Sequence, residues 1–226
     1  METSLSKIEM AKYLSIQLNN HFPDNNKVLP QHLVALVEIA YEKLRYCLSA
    51  TIFDKYRKNG KVFFDHLYSD SFMLFLCYFA NTAWHETKDR SLSSKIYYLN
   101  KAMNSFDCMY DTNLPEIFLI IHGNGTIMGK AEYGNYFVIY QGCTIGASQG
   151  HYPKIGNGVS IAANCSVIGK CNIGDRSTIS LRTMLMRKDI PSDHTAFLDV
   201  ESGKLQILKS PTCYAQQYFN VDLKNL

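Results

Sequence analysis

The sequence of 226 residues has no apolar segment long enough to cross a bilayer and no stripe of like charge. Its most apolar run, from Phe72 to Trp84, is interrupted by Asn81 and is shorter than the roughly 20 residues that a membrane span requires. We therefore predict a buried helix there. The formal net charge is only +3, and the Lys and Arg residues are scattered along the chain. These features exclude a strongly basic surface, so we expect neither a nucleic-acid partner nor membrane insertion.

Cysteine is present but not in a pattern typical of metal or redox sites. None of the seven cysteines forms a Cys-x-x-Cys pair, so a zinc site has little support and we expect no metal. The first residues are polar and lack the apolar core of a signal peptide. These features predict a cytoplasmic protein with reduced thiols.

The sequence does contain a repeat, in which a large aliphatic or aromatic residue returns at every sixth position. Ten residues keep this spacing, with one four-residue surplus after the fourth: Ile127, Tyr133, Ile139, Ile145, Ile155, Ile161, Val167, Ile173, Ile179 and Leu185. A period of six is neither helical nor a simple alternation, and it indicates a hexapeptide β-helix. Three hexads then close one coil of about eighteen residues. Each buried anchor contributes about 1.5–3 kcal/mol, so the anchors could hold the solenoid together without a metal or a disulfide.

The hexads also predict how two cysteines are placed. Allowing for one coil and the four-residue surplus, Cys143 and Cys165 fall at equivalent positions. We expect them to stack at one inward corner as small apolar side chains.

The segment before the repeats has helical periodicity from Ser4 to about Asn104. Pro30 suits the first turn of a second helix, and a break at 58–61 separates it from two further helices. Ser69 and Ser91 are predicted to cap those two helices. The helical region is expected to cover an end of the solenoid or to mediate assembly.

The predicted fold class is therefore α+β, with three parts. Residues 1–110 form a helical cap or oligomerisation domain, and residues 111–195 form the β-helix. A C-terminal hairpin and tail occupy residues 196–226, with the hairpin turn at Glu201-Ser202-Gly203. The last residues to Leu226 indicate nothing about function.

Four segments after the helical region resemble, in residues and in order, the serine acetyltransferase branch of the hexapeptide-repeat acyltransferases. They are His122-Gly-Asn-Gly, Tyr140-Gln-Gly-Cys-Thr-Ile-Gly, His151-Tyr-Pro-Lys-Ile-Gly-Asn-Gly-Val and Lys188-Asp-Ile-Pro. The resemblance implies a left-handed β-helix and acetyl-CoA as the co-substrate. It also implies a homotrimer with active sites between neighbouring prisms, or a dimer of trimers joined through the helical domain.

Within this resemblance, His122 is the expected general base. It follows Ile121, six positions before Ile127, and so falls at a corner that projects outward. Imidazole has an ordinary pKa near 6.5 and is suited to take a proton from an acceptor hydroxyl. A carboxylate would orient it. Asp107, fifteen residues earlier, is preferred to Asp111 because the resemblance places the partner at that distance.

The surplus that holds His151 must bulge from the prism as a loop, and the resemblance suggests that it is a second active-site histidine reaching a neighbouring subunit. Other site residues are predicted by role. The candidates for acceptor binding are Asp70, Tyr140, Gln141 and Gly150. The candidates for CoA binding are Ala162, Ala163 and Ser180, as small residues on a flat face, and Lys188, as a phosphate partner.

Two departures from the resemblance affect the acceptor. The family usually has Asp before the first histidine and Arg before the second, whereas this chain has Ile121 and Gly150. Each lost charged hydrogen bond should cost about 1.5–3 kcal/mol with an amino-acid acceptor. The sequence therefore favours O-acetylation of a sugar or nucleotide sugar, as in surface polysaccharide synthesis, over L-serine. Asp65 or Asp70 could restore part of the lost recognition.

Other functions compete with acyl transfer. The alternative acceptor is L-serine, which would make the protein a serine O-acetyltransferase of cysteine biosynthesis. A zinc-dependent β-helix carbonic anhydrase would need three convergent imidazoles, and only His122 and His151 lie near the predicted face. A non-catalytic β-helix subunit would keep only the anchors. The sequence leaves open O- versus N-acetylation and the length of the acyl chain.

Overall fold

A computed structural model describes all 226 residues of the chain. Four helices make up most of the N-terminal part, and Pro30 begins the second, as predicted. The helices are α1 (Lys7–His21), α2 (Pro30–Ser49), α3 (Ser69–Thr87) and α4 (Arg90–Asn104). None of them combines the length and the apolar character that a membrane span requires.

The predicted helix caps are wrong. Ser69 is already inside helix α3, which begins after Tyr68 without a side-chain cap. Helix α4 is capped by Asp89, whose carboxylate accepts the backbone N–H of Leu92 at 3.0 Å. A cap needs extended backbone one residue before the first turn, and Ser91 lies within that turn.

The predicted break at 58–61 is a β-hairpin. Asn59 and Gly60 both have positive φ, 50° and 73°, which is the geometry of a two-residue type I′ turn. The turn joins two strands that form a small sheet with the N-terminus. The three strands are β1 (Glu2–Thr3), β2 (Arg57–Lys58) and β3 (Lys61–Phe64).

Helix α3 is buried on all sides from Asp70 to Ala83, as its mostly apolar sequence predicts. On one side it covers the start of the solenoid, where the Tyr78 ring packs edge-on against Phe118 at 5.4 Å. The Cys47 thiol of α2 donates to the carbonyl of Phe118 at 3.1 Å. The helical region thus shields the first coil from solvent.

The remaining chain winds into a parallel β-solenoid with three sheets, one for each side of the prism. The first sheet contains β7 (Glu132–Tyr133), β10 (Lys154–Ile155) and β13 (Asn172–Ile173). The second contains β5 (Phe118–Ile121), β8 (Phe137–Tyr140), β11 (Ser160–Ile161), β14 (Thr178–Ile179) and β16 (His194–Leu198). The third contains β4 (Phe106–Asp107), β6 (Thr126–Met128), β9 (Thr144–Gly146), β12 (Ser166–Ile168) and β15 (Met184–Met186). The predicted fold class, a helical region followed by a parallel β-helix, is confirmed.

Strand pairing confirms the hexad spacing and the surplus. Lys154 pairs with Asn172, eighteen positions on, as three hexads require. Glu132 pairs with Lys154, twenty-two positions on, because the four surplus residues lie between them. Cys143 and Cys165 are both fully buried, and the backbone N–H that follows Cys143 donates to the carbonyl of Cys165 at 2.9 Å. The predicted stacking of the two cysteines is confirmed.

The predicted anchor at Ile127 is wrong. Ile127 is 44% exposed, whereas Met128 is fully buried and pairs with Ile145. In the preceding strand, Ile120 pairs with the anchor Ile139, so Ile121 is not an anchor either. The chain between Ile120 and Met128 takes eight steps instead of six, because it turns through several residues with positive φ, beginning at His122.

The C-terminal hairpin is present. Strand β16 pairs antiparallel with β17 (Leu205–Lys209), and Ala196 lies opposite Ile207. Strand β4 precedes residue 111 and β16 extends beyond residue 195, yet both belong to solenoid sheets. As domain limits, 110 and 195 stay predictions.

The fold predicts unequal effects of alanine at two glycines that each follow an anchor. A Cβ at Gly174 would lie 2.3 Å from the backbone nitrogen of Ser192, whereas a Cβ at Gly146 would meet only the Cδ1 atom of Ile168 at 3.6 Å. Gly174→Ala should lower stability by about 1–3 kcal/mol and Gly146→Ala should be nearly neutral, with about 2–4 °C in Tm per kcal/mol. Thermal unfolding followed by circular dichroism measures both. Equal melting temperatures would contradict the stacking argument.

Candidate active site

His122 lies at the corner that follows strand β5, with its side chain exposed and φ at +58°. A left-handed backbone is uncommon for a residue other than glycine and costs free energy. The next residue has to be small, because a Cβ at Gly123 would lie 2.3 Å from the sulfur of Met73 in α3. The helical region therefore packs closely against the residue that follows His122.

A cavity of about 490 Å³ opens beside His122 on the second sheet. Six residues that the sequence predicts for the site line it: His122, Tyr140, Gln141, Ala162, Ala163 and Ser180. The structure thus brings together the predicted base, two predicted acceptor-binding residues and three of the four predicted CoA-binding residues.

Parallel pairing explains this convergence. Ile121 pairs with Tyr140, and Val138 and Ile139 pair with Ser160 and Ile161, so Ala162 is the next residue in the column that contains Tyr140. The N–H of Ala162 donates to the carbonyl of Ile179 at 2.8 Å, which places Ser180 one coil further on. Small side chains on successive coils leave an open groove that begins at His122.

The His151 loop is a tight turn. Ser148 and His151 exchange two backbone hydrogen bonds of 3.0 Å, and the two residues between them, Gln149 and Gly150, have φ of 54° and 76°. This is again type I′ geometry, in which glycine is favoured. The backbone of the turn accounts for Gly150 at a position where the resemblance would place Arg.

His151 lines a separate cavity of about 310 Å³, so within one chain the two predicted histidines do not share a site. No hydrophobic residue lines this cavity, and charged residues are frequent in it. Its other lining residues are Gln149, Lys170, Arg187 and Asp189. Arg187 donates from Nη2 to the Ser148 hydroxyl at 3.3 Å, which ties it to the turn.

Neither predicted carboxylate is hydrogen-bonded to His122. Asp107 accepts hydrogen bonds from the Tyr97 hydroxyl at 2.8 Å and from Lys101 Nζ at 2.6 Å. The hydrogen bond with Asp107 raises the pKa of Lys101. Asp111 pairs through Oδ2 with Lys130 at 2.7 Å, while its Oδ1 is buried without a partner. The assignment of Asp107 or Asp111 as the partner of His122 stays a prediction.

Three other predicted residues lie away from the His122 cavity. Asp70 is buried in the first turn of α3, with Lys55 Nζ at 3.9 Å from its Oδ2. Lys188 is exposed beyond the end of β15, and Gly150 lies in the His151 turn. A single chain therefore does not assemble these residues with His122.

The C-terminal tail supplies site residues that the sequence reasoning missed. Ser210, Thr212 and Tyr214 line the His122 cavity. The Tyr140 hydroxyl is hydrogen-bonded to that of Tyr218, which lies in a short 3-10 helix, Tyr214–Tyr218. Two tyrosines four positions apart, Tyr214 and Tyr218, were the only available signal in the tail.

The stacked cysteines lie directly behind the cavity wall. Cys143 Sγ donates to the carbonyl of Ala162 at 3.0 Å, and Cys165 Sγ donates to that of Ser180 at 2.9 Å. The pKa of Cys165 is raised, mainly by its hydrogen bond with the Cys143 thiol and secondly by burial. All seven cysteines are free thiols, and no three His, Cys, Asp or Glu side chains lie close enough together to hold a metal ion.

No protein-family model matches the chain. Among curated proteins, it is similar to the serine acetyltransferase of Synechococcus elongatus, 31% identical over 103 residues, which are 43% of this chain and 42% of that protein. It is also similar to the serine acetyltransferase of Helicobacter pylori, 26% identical over 126 residues, which are 54% of this chain and 73% of that protein. The chain thus spans less than half of the first of these relatives.

Among solved structures, the fold is shared with serine acetyltransferases. That of Brucella abortus superposes with a TM-score of 0.69 at 17% identity, covering 92% of this chain and 85% of the other. The serine acetyltransferase of Neisseria gonorrhoeae superposes with a TM-score of 0.68 at 18% identity, covering 96% of this chain and 85% of the other. The predicted resemblance to the serine acetyltransferase branch of the hexapeptide-repeat acyltransferases is confirmed.

The turn geometry predicts unequal effects at two adjacent residues. Gly150→Ala puts a Cβ on left-handed backbone and should lower the free energy of unfolding by about 1 kcal/mol. Gln149→Gly relieves a similar strain, offset by the greater freedom of glycine in the unfolded chain, and should be close to neutral. Urea denaturation measures both variants. A neutral Gly150→Ala would show that the turn is not held in this conformation in solution.

Proposed function

We propose that the protein is an acetyl-CoA-dependent O-acetyltransferase in which His122 is the general base and L-serine is the acceptor. The observation that carries the proposal is the single cavity in which His122 meets a groove of small residues, Ala162, Ala163 and Ser180. We infer that the acyl carrier lies along this groove. The curated relatives, which are serine acetyltransferases, support the same reaction class.

The proposed chemistry is a direct transfer. The His122 imidazole takes the proton of the acceptor hydroxyl as its oxygen attacks the thioester carbonyl of acetyl-CoA. A new ester C–O bond forms, the C–S bond breaks, and the proton goes to the CoA thiolate. Asp107 and Asp111 remain the two candidates for the carboxylate that stabilises the imidazolium, with Asp107 preferred.

The acceptor assignment departs from the sugar that Ile121 and Gly150 favoured in the sequence. The named relatives act on serine according to their names, which weighs toward serine. The His151 cavity also contains positive charge that could replace the Arg missing at Gly150. Lys170 and Arg187 lie there beside His151, and either could pair a carboxylate that Gly150 cannot. The positive charge that Gly150 lacks is thus available from Lys170 and Arg187, on the next two coils.

The proposed assembly is a homotrimer, as the resemblance implies. His122 and His151 open onto separate cavities of one chain, and a neighbouring prism would bring the His151 of one subunit to the His122 of another. A dimer of trimers through the helical domain is the larger arrangement proposed. In either case the acetyl-CoA site would lie between subunits, and Lys188 would be available to a CoA phosphate.

An acceptor panel tests the proposal. The purified protein is mixed with acetyl-CoA and, separately, with L-serine, free sugars and nucleotide sugars, and the release of CoA thiol is followed. We expect turnover with L-serine above the rate of thioester hydrolysis. Turnover with a sugar alone would overturn the serine assignment and keep acetyl transfer. No turnover with any acceptor, together with no CoA binding, would overturn the transferase itself.

His122→Ala is the matching active-site variant. It should fold and bind CoA, and its rate should fall by about 10²–10⁴-fold, the usual contribution of a general base. His32→Ala, at an exposed position on α2, serves as the control and should keep the full rate. A folded, CoA-binding His122→Ala protein with an undiminished rate would show that another group is the base.

A further inference from the structure

A cavity of about 430 Å³ lies between the helical region and the start of the prism. Its walls come from helices α2 and α3 and from the segment that leads into strand β5. It shares no lining residue with the His122 cavity or the His151 cavity. Its volume falls in the range of about 300–1,000 Å³ that is typical of small-molecule sites.

Asn81, the polar residue that interrupts the apolar run of α3, forms part of the cavity wall. Only 8% of this residue is exposed. Its Nδ2 group donates to the carbonyls of Tyr110 and Thr112 at 3.1 and 3.0 Å, which uses both of its N–H donors. Its Oδ1 atom accepts no hydrogen bond from the chain and is not sealed in the interior. The cavity therefore contains an unpartnered acceptor that a ligand N–H can satisfy.

Lys43 adds a positive charge to the same cavity. Its ammonium forms no salt bridge within the chain, whereas the lining residue Glu42 is paired with Arg45 Nε at 2.8 Å. Burial lowers the pKa of Lys43, because the ammonium loses part of its hydration. An anion bound beside Lys43 would offset that loss.

The remaining wall is largely aromatic and apolar. Tyr46 lines the cavity from α2 and is 50% exposed, and Leu114 and Pro115 line it from the opposite segment. The Tyr78 hydroxyl donates to the carbonyl of Glu116 at 3.0 Å, which ties α3 to this segment. The cavity thus combines an apolar surface with one free acceptor and one unpaired cation.

We propose that this cavity binds a free α-amino acid with an apolar side chain. The ligand ammonium donates to Asn81 Oδ1, and the ligand carboxylate pairs with Lys43. The apolar side chain lies against Tyr46 and Leu114. An amine or a carboxylic acid alone would leave one of the two polar groups without a partner. The inference goes beyond the proposed function, because none of the residues that line the cavity belongs to the proposed acetyl-transfer site.

Three ligands that share one carbon skeleton test the assignment. L-leucine carries both charged groups, isopentylamine lacks the carboxylate, and isocaproate lacks the ammonium. Isothermal titration calorimetry on the full chain should show saturable binding of L-leucine and a Kd at least about 10-fold higher for each of the other two, the effect of losing one charged hydrogen bond. No saturable binding of L-leucine, or equal affinity for either analogue, would overturn the proposal.

Lys43→Met tests the carboxylate contact, since it removes the charge and keeps an unbranched side chain. The Kd for L-leucine should rise about 10-fold, while the Kd for isopentylamine should not change, because that ligand has no carboxylate. Lys12→Met, at an exposed position on α1 outside the cavity, is the matched control and should change neither constant. An unchanged Kd for L-leucine in a folded Lys43→Met protein contradicts the proposal.

Tyr46→Ala provides a second variant, because Tyr46 is half exposed and its loss should not unfold the protein. It removes apolar wall and should weaken both L-leucine and isopentylamine. Tyr98→Ala, at a residue 55% exposed on α4, is its control. If Tyr46→Ala binds both ligands as the wild type does, the cavity is not the site.

His122→Ala separates this inference from the proposed function. It should bind L-leucine with the wild-type Kd, because His122 lies in a different cavity. Loss of L-leucine binding in His122→Ala alone would place the amino acid in the His122 cavity and overturn the inference. A wild-type protein that acetylates no acceptor but binds L-leucine in a Lys43-dependent way would overturn the proposed function and support this inference.

Discussion

The structure depends on the stacking of one coil on the next through parallel backbone ladders. Neighbouring strands of a ladder lie about 4.8 Å apart, so each residue sits directly above the equivalent residue of the previous coil. The interior accepts one large side chain per hexad, and corners such as Gly174 leave no room for a Cβ. Because every coil must satisfy the same spacing, the sequence repeats, and any irregularity has to leave the prism as a turn or a bulge.

Those irregularities carry the candidate chemistry. At the end of β5 the chain passes through left-handed backbone at His122, Met73 of helix α3 packs closely against the next residue, Gly123, and the coil there needs eight steps between its buried residues. In the next coil the four surplus residues form a type I′ turn that presents His151. The regular coils in turn align Tyr140, Ala162 and Ser180 in the column that begins at Ile121, one residue before His122, so the groove is a product of the same ladder.

The N-terminal helices and the C-terminal tail add to the prism a cover for its first coil and part of the cavity wall. The helices cover the first coil through Tyr78 and Cys47, which removes an exposed edge. The C-terminal tail returns along the prism to helix α2 and adds Tyr214 to the cavity wall. The helical region therefore supports the site indirectly, by packing against Gly123 beside His122 and by anchoring the tail that lines the cavity.

The sequence by itself determined the architecture, because a six-residue period can be satisfied only by a solenoid and because helical periodicity is local. It also identified His122, Tyr140, Gln141, Ala162, Ala163 and Ser180, which the structure gathers into one cavity. The six-residue period could not show that Met128, and not Ile127, is the buried residue of its strand. Left-handed corners add residues to a coil without changing the side-chain pattern. Only the tertiary structure decided the hydrogen bonds of Asp107, the separation of His151 from His122 and the place of Tyr214. The partners of Asp107 are only ten and six residues away, but they depend on how helix α4 packs against strand β4. The place of Tyr214 depends on a contact between segments far apart in the chain, and no local pattern encodes such a contact.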